Sequence, residues 1–145
     1  MKKIIISIVL GLSCVAFNAK SFYPEDLIKV ENLDRNLREA NLCEADLTGA
    51  DLAGANLSHA YLVRTILERA ILKEAHLERA ILREANLTGA DLTGADLTGA
   101  ILLKTNLTGA ILTGTILRYA QGLSSEQKKY AAAQGAIFDH DAISD

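Results

Sequence analysis

The sequence predicts an all-β solenoid, a single chain wound into stacked coils. Three observations carry this. Leucine recurs at every fifth residue from Leu37 to Leu117, seventeen times without a miss. Two residues before each leucine stands a small residue: alanine in thirteen cases and threonine at 65, 105 and 115, with Arg35 as the exception. The other three positions hold mainly Asn, Asp, Thr, Gly, Glu, Arg and Lys. A helix face needs spacings of about three and four, and a half-buried strand needs spacings of about two, so a period of five fits neither. A short repeat sustained over this length marks a solenoid. If four repeats close one turn, the leucines fill the interior of a square prism. The alanines are small because that interior is narrow, and the remaining positions face water.

The corners come next. Glycine occupies the second position after leucine at 49, 54, 89, 94, 99, 109 and 114. Glycine suits turns that demand a positive φ. At 64 to 84 the same slot holds Arg64, Arg69, Glu74, Arg79 and Glu84. Those corners are expected to use a turn type that accommodates a side chain. The repeat Ala-(Asp/Asn)-Leu-x-x, seen in near-identical copies at 87–91 and 92–96, resembles the pentapeptide-repeat family across residues 35 to 121. The resemblance implies a right-handed quadrilateral β-helix of about four coils over 36–121, with backbone hydrogen bonds between coils. At about 4.8 Å per coil the stack is on the order of 20 Å long. One departure stands out. The residue before leucine is usually Asp or Asn in that family, but here it is Ile at 66, 71, 81, 101, 111 and 116, and Tyr at 61.

The ends break the period. Residues 1–19 read as a secretory signal peptide: Lys2 and Lys3 precede an apolar run from Ile4 to Phe17, short for a membrane span. Cleavage is expected after small residues near Ala16 or Ala19. Gly11-Leu12-Ser13-Cys14 is similar to a lipoprotein processing site, so a membrane is a partner only through lipidation at Cys14; an uncleaved, buried N-terminal helix is the other reading. Loss of the leader removes Cys14 and leaves Cys43 without an intramolecular partner. With Lys2, Lys3 and Lys20 lost, the formal charge moves from −3 to about −6. Residues 20–35, with Pro24 followed by Leu27, Ile28 and Val30, are expected to cap the first coil. At 122–145 a C-terminal capping helix and tail are expected. Ser124-Ser125-Glu126-Gln127 has the form of a capping box, and Gly135 follows Gln134 as a stop. Tyr130, Ala131 and Ala133 are expected on its apolar side, Tyr119 and Tyr130 as capping aromatics, and Ala136-Ile137-Phe138 as an apolar plug.

Residues one coil apart should stack, which divides the outside into four faces. One face gathers Tyr61, Val63, Ile81, Arg83, Ile101 and Leu103. A contiguous apolar patch of this kind marks a contact surface, although Ile, Val and Tyr also suit strands for their own sake. Along its edge Glu44, Arg64, Glu84 and Lys104 alternate in sign and are expected to form a solvated ion-pair ladder.

No nucleophile with a base, no phosphate loop and no metal-ligand cluster is legible. His59 and His76 fall on one face near Glu39 and Glu78, but a metal site needs three or four converging ligands. Neither catalysis nor a cofactor nor a small-molecule substrate is expected. The sequence points instead to an exported scaffold of the periplasm or medium, binding an unknown protein or a second copy of itself; delivery into another cell as an effector is not separable from this. The resemblance also raises a second reading, mimicry of duplex DNA toward a topoisomerase. Such a mimic needs a strongly negative rod. Residues 36–121 hold ten acidic and eight basic residues, a balance of −2. Direct nucleic-acid binding is not expected either, because no basic stripe exists.

Overall fold

The structure, a computed structural model, describes residues 36–139. The expected leader, the N-terminal cap and the tail beyond Asp139 lie outside the described residues. Within them, the residue before each leucine pairs in parallel with the residue twenty positions on: Asn36 with Asn56, Tyr61 with Ile81, Asp91 with Ile111. One coil therefore takes twenty residues. Coils run over 36–55, 56–75, 76–95 and 96–115, and 116–121 begins a fifth.

Through the middle of the stack each rung is held by three backbone hydrogen bonds. Around the Tyr61 rung, Leu62 N–H donates to Ile81 O (2.8 Å), Arg64 N–H to Arg83 O (2.9 Å), and Ile81 N–H to Ala60 O (2.9 Å). A polar backbone group inside a folded chain must find a partner, and between coils that partner is the neighbouring coil, while each corner also closes on itself. The core is a column of leucine flanked by alanine. From Leu42 to Leu117 every leucine of the repeat is nearly inaccessible to solvent, down to zero exposure through the middle. Burial of each such side chain contributes about 1.5–3 kcal/mol.

Threonine at 65, 105 and 115 replaces the inward alanine and is buried. Each hydroxyl donates to a leucine carbonyl one coil back: Leu42 O (2.8 Å), Leu82 O (2.7 Å) and Leu92 O (2.8 Å). A buried hydroxyl left unmatched would cost free energy, so this bond is what lets threonine substitute for alanine.

The corners differ from expectation at 64–84. Every repeat closes with the amide of the inward small residue donating back to the leucine carbonyl three positions earlier. The residue between them is left-handed at all seventeen corners, whether it is Gly54 (φ 64°) or Arg64 (56°), Glu74 (54°) and Arg79 (56°). This is the pattern of a type II turn. The side-chain-bearing corners use the same turn as the glycine ones and carry its strain. The long side chains lean toward the next coil. A methyl group placed on Gly89, Gly94 or Gly99 would meet the Cγ of Arg69, Glu74 or Arg79 at 3.5, 3.5 and 3.4 Å.

Helix α1 spans Ser125–Ala133. Ser124 caps it: its hydroxyl accepts from Gln127 N–H, and Gln127 Oε1 accepts from Ser124 N–H. The helix lies over the last coil, where no further coil exists to receive backbone groups, and its side chains take over that duty. Gln127 Nε2 donates to Thr105 O (2.7 Å), and Tyr130 Oη (3.0 Å) and Gln134 Nε2 (3.1 Å) donate to Ala110 O. Leu112 N–H donates to Gln134 Oε1 (3.1 Å). Ala131 is the fully buried residue of the helix, while Ala133 is exposed, against expectation. The expected plug is a rung: Ile137 pairs with Ile116 and exchanges bonds with Thr115 O and Leu117 N–H, while Ala136 and Phe138 pack on the core. Tyr119 does not cap; it stands on a left-handed corner with 71% of its surface exposed.

Two substitutions test corner strain alone and strain combined with crowding, since Gly122 is itself left-handed (φ 85°). Glu74→Gly relieves a left-handed non-glycine residue and is expected to leave stability unchanged or raise it by up to about 1 kcal/mol. Gly122→Ala is expected to destabilise by about 2 kcal/mol or more, because its Cβ would come within 2.6 Å of Leu103 N. Denaturant midpoints for the two variants check both signs.

Candidate functional site

The four outer faces differ in chemistry. Where Asp or Asn precedes leucine, on three faces repeatedly and on the fourth at Asn41, it turns its carboxyl or amide oxygen back onto its own corner. Asp46 Oδ1 accepts from Thr48 N–H (3.0 Å) and Thr48 Oγ1 (2.6 Å), and Asp91 Oδ1 from Thr93 N–H (3.1 Å) and Oγ1 (2.6 Å). These Asx turns fix the corners. The hydroxyl and amide of Thr48 hold the Asp46 carboxyl below its ordinary pKa. For Asp91 burial pushes the other way, but the Thr93 bonds and Lys73, 3.2 Å away, outweigh it and the pKa is lowered.

The fourth face is the one singled out by sequence. Tyr61, Ile81 and Ile101 stand in one register column, each paired with the next. Tyr61 and Leu103 are 44% and 43% exposed, Ile81, Ile101 and Val63 are half-buried, and Arg83 is exposed. The structure thus brings all six residues together on one side. Ile66, Ile71 and Ile111 are also exposed. They do not form a stripe, because Asn86 follows Ile66 and Asp91 separates Ile71 from Ile111. Sequence reasoning notes these three as departures from Asp or Asn but does not place them on a contact face.

The edge of the apolar face carries the charge ladder. Arg64 reaches both neighbours, with Nη1 3.5 Å from Glu44 Oε1 and Nε 3.0 Å from Glu84 Oε2. Its hydrogen bond and charge lower the Glu84 pKa, and Lys104 and Arg83 add to that. Glu44 is half-buried and the other groups are exposed, so salt screens the ladder and it contributes little stability. Cys43 lies at the start of this face and is disulfide-bonded.

The polar face carries the two histidines. His76 Nδ1 lies 3.4 Å from Glu78 Oε1, and the second Glu78 oxygen has no hydrogen-bond partner among the described residues. His59 is tied to this coil through its backbone, donating to Glu78 O. Among the described residues no group of three or more potential ligands converges on a metal position. Among them, too, no helix is long and apolar enough to cross a membrane.

The family model for pentapeptide repeats matches residues 36–69, 67–99 and 90–121, with eight copies. The chain belongs to the pentapeptide-repeat family. Among solved structures it is similar to the pentapeptide repeat protein Rfr23 from the cyanobacterium Cyanothece 51142, with 36% identity and a TM-score of 0.55 over 72% of this chain and 60% of that one. It is also similar to a trypsin-treated variant of QnrB1, a plasmid-mediated fluoroquinolone resistance protein, with 17% identity and a TM-score of 0.50 over the same shares. At that identity the second likeness concerns the fold alone. HetL from Nostoc sp. strain PCC 7120, involved in heterocyst differentiation regulation, is 41% identical over 63% of this chain and 48% of its own, with a TM-score of 0.27. The chain spans about 60% of the length of the first two. No curated protein matches it.

The lowered carboxylates set a pH dependence for this pentapeptide-repeat protein. Asp46, Glu84 and Asp91 have folded-state pKa values below their unfolded ones. Their contribution is complete above the unfolded carboxylate range of about 4 and is lost as pH falls through the folded values. Melting temperature is expected to be level above about pH 5.5 and to drop below about pH 4. Asp91→Asn keeps an acceptor for Thr93 and should shallow the acid limb; an unchanged limb in thermal melts would count against this origin.

Proposed function

We propose that this chain is an exported, non-catalytic scaffold that docks a protein partner on the face formed by Tyr61, Val63, Ile81, Arg83, Ile101 and Leu103. The observation that carries the reading is the unbroken apolar column on an otherwise Asx- and Thr-rich surface. Every coil is locked to its neighbours by backbone bonds, so the face is preformed and little conformational entropy is lost when it binds. Tyr61 and Arg83 are residue types that anchor protein interfaces, with aliphatic neighbours to exclude water. Right-handed winding, which the family resemblance implies, and capping at both ends belong to the same proposal. Export rests on the charged and apolar pattern of residues 1–19, with the periplasm or the medium as destination.

The likeness to QnrB1 keeps a second reading open, a DNA mimic that binds a topoisomerase. The charge pattern favours the scaffold. The rod carries a balance of only −2 over residues 36–121, and Arg64, Arg69, Arg79 and Arg83 stand mid-rod where a mimic needs carboxylates.

Ile81→Asp combined with Ile101→Asp places two charges on half-buried positions of this face and is expected to abolish partner capture while circular dichroism and melting stay near wild type. A partner still retained by the double variant rules out this face. N-terminal sequencing of the protein from separated cell fractions tests export independently. A mature start near Lys20 or Phe22 in periplasm or medium supports it, and an intact Met1 in the cytoplasm defeats it.

A further inference from the structure

The last coil is not closed equally on all sides. Beyond Gly109 its upward-facing amides are each met by the chain's own C-terminal segment. Leu112 N–H is met by Gln134 Oε1, Gly114 N–H by Gly135 O, Leu117 N–H by Ile137 O and Tyr119 N–H by Asp139 Oδ2. The amides of Leu107 and Gly109 meet no acceptor among the described residues. They face a cleft of about 330 Å³ between residues 105–109 of the coil and Glu126, Gln127 and Tyr130 of α1.

The register says what fits there. One coil below, Leu87 N–H donates to Asn106 O (2.8 Å) and Gly89 N–H to Thr108 O (2.9 Å). The acceptors are two carbonyls two residues apart, one on the bridge residue Asn106 and one on Thr108 where the corner turn begins. The same pair of donors, one coil higher, asks for the same pair of acceptors. The neighbouring carbonyl, Thr105 O, already accepts from Gln127 Nε2, so an occupant is held here through its carbonyls. Glu126 is the charged residue lining the cleft. It disfavours a carboxylate or phosphate at the two amides and favours a cationic side chain beside them.

We propose that this open rung binds an extended peptide segment of a partner protein by strand addition, with a lysine or arginine of that segment paired to Glu126. Main-chain bonds supply affinity in such additions and flanking side chains supply selectivity. The site lies on a different face from the Tyr61 column and does not depend on it.

The test uses the full ¹⁵N-labelled chain and an acetylated, amidated Thr-Val-Lys-Val-Thr peptide at up to millimolar concentration. Leu107 and Gly109 amide resonances are expected to move downfield and gain protection from hydrogen exchange. A Thr-Val-Glu-Val-Thr peptide is expected to bind about fivefold more weakly, and Glu126→Gln to lower affinity for the lysine peptide by about the same factor with helix content intact. Equal affinity for the two peptides overturns the proposal. So does the absence of any shift at these two amides, or shifts that follow protein concentration without peptide and so mark self-association at this end.

Discussion

Everything in this molecule depends on the hydrogen bonds between residues twenty apart. They set the coil at twenty residues and therefore the four corners. The corners in turn demand a left-handed residue at each fifth position. The interior left by such a tight coil holds one leucine and one small residue per side and nothing larger. The five-residue period is thus the shadow of a backbone constraint, and side-chain preference only follows it.

That ordering explains what is legible in the sequence. Interior positions tolerate few residue types, so leucine and alanine announce the coil, and even the exceptions at Thr65, Thr105 and Thr115 follow from size and a reachable carbonyl. The capping box at Ser124 and Gln127 is a local motif and reads directly. The corners at Arg64 to Glu84 depart from expectation because propensity says glycine where φ is positive, whereas the rung bonds impose that φ on whatever residue is present. Tyr130 reads as a capping aromatic and does cap, but the roles of Gln127 and Gln134 as substitutes for a missing coil are invisible in the sequence. They depend on where α1 docks, which no period encodes.

The candidate surfaces divide the same way. The Tyr61–Ile81–Ile101 column can be found by counting in twenties, since a solenoid converts sequence spacing into contact. The open rung at Leu107 and Gly109 cannot, because it is defined by what the C-terminal segment leaves unmet.

The side-chain-bearing corners have one more consequence. A rod of equal repeats offers a partner nearly the same surface after a slide of one coil, so position along the axis is poorly defined. Here six successive corners, His59 to Glu84, carry long or charged side chains, while the corners that follow, at Gly89, Gly94 and Gly99, carry none. The bulky set forms a collar around the middle of the rod, leaning over the bare set beside it. A partner that wraps the rod meets that step in girth and can seat at one height only, so a repetitive scaffold acquires an address.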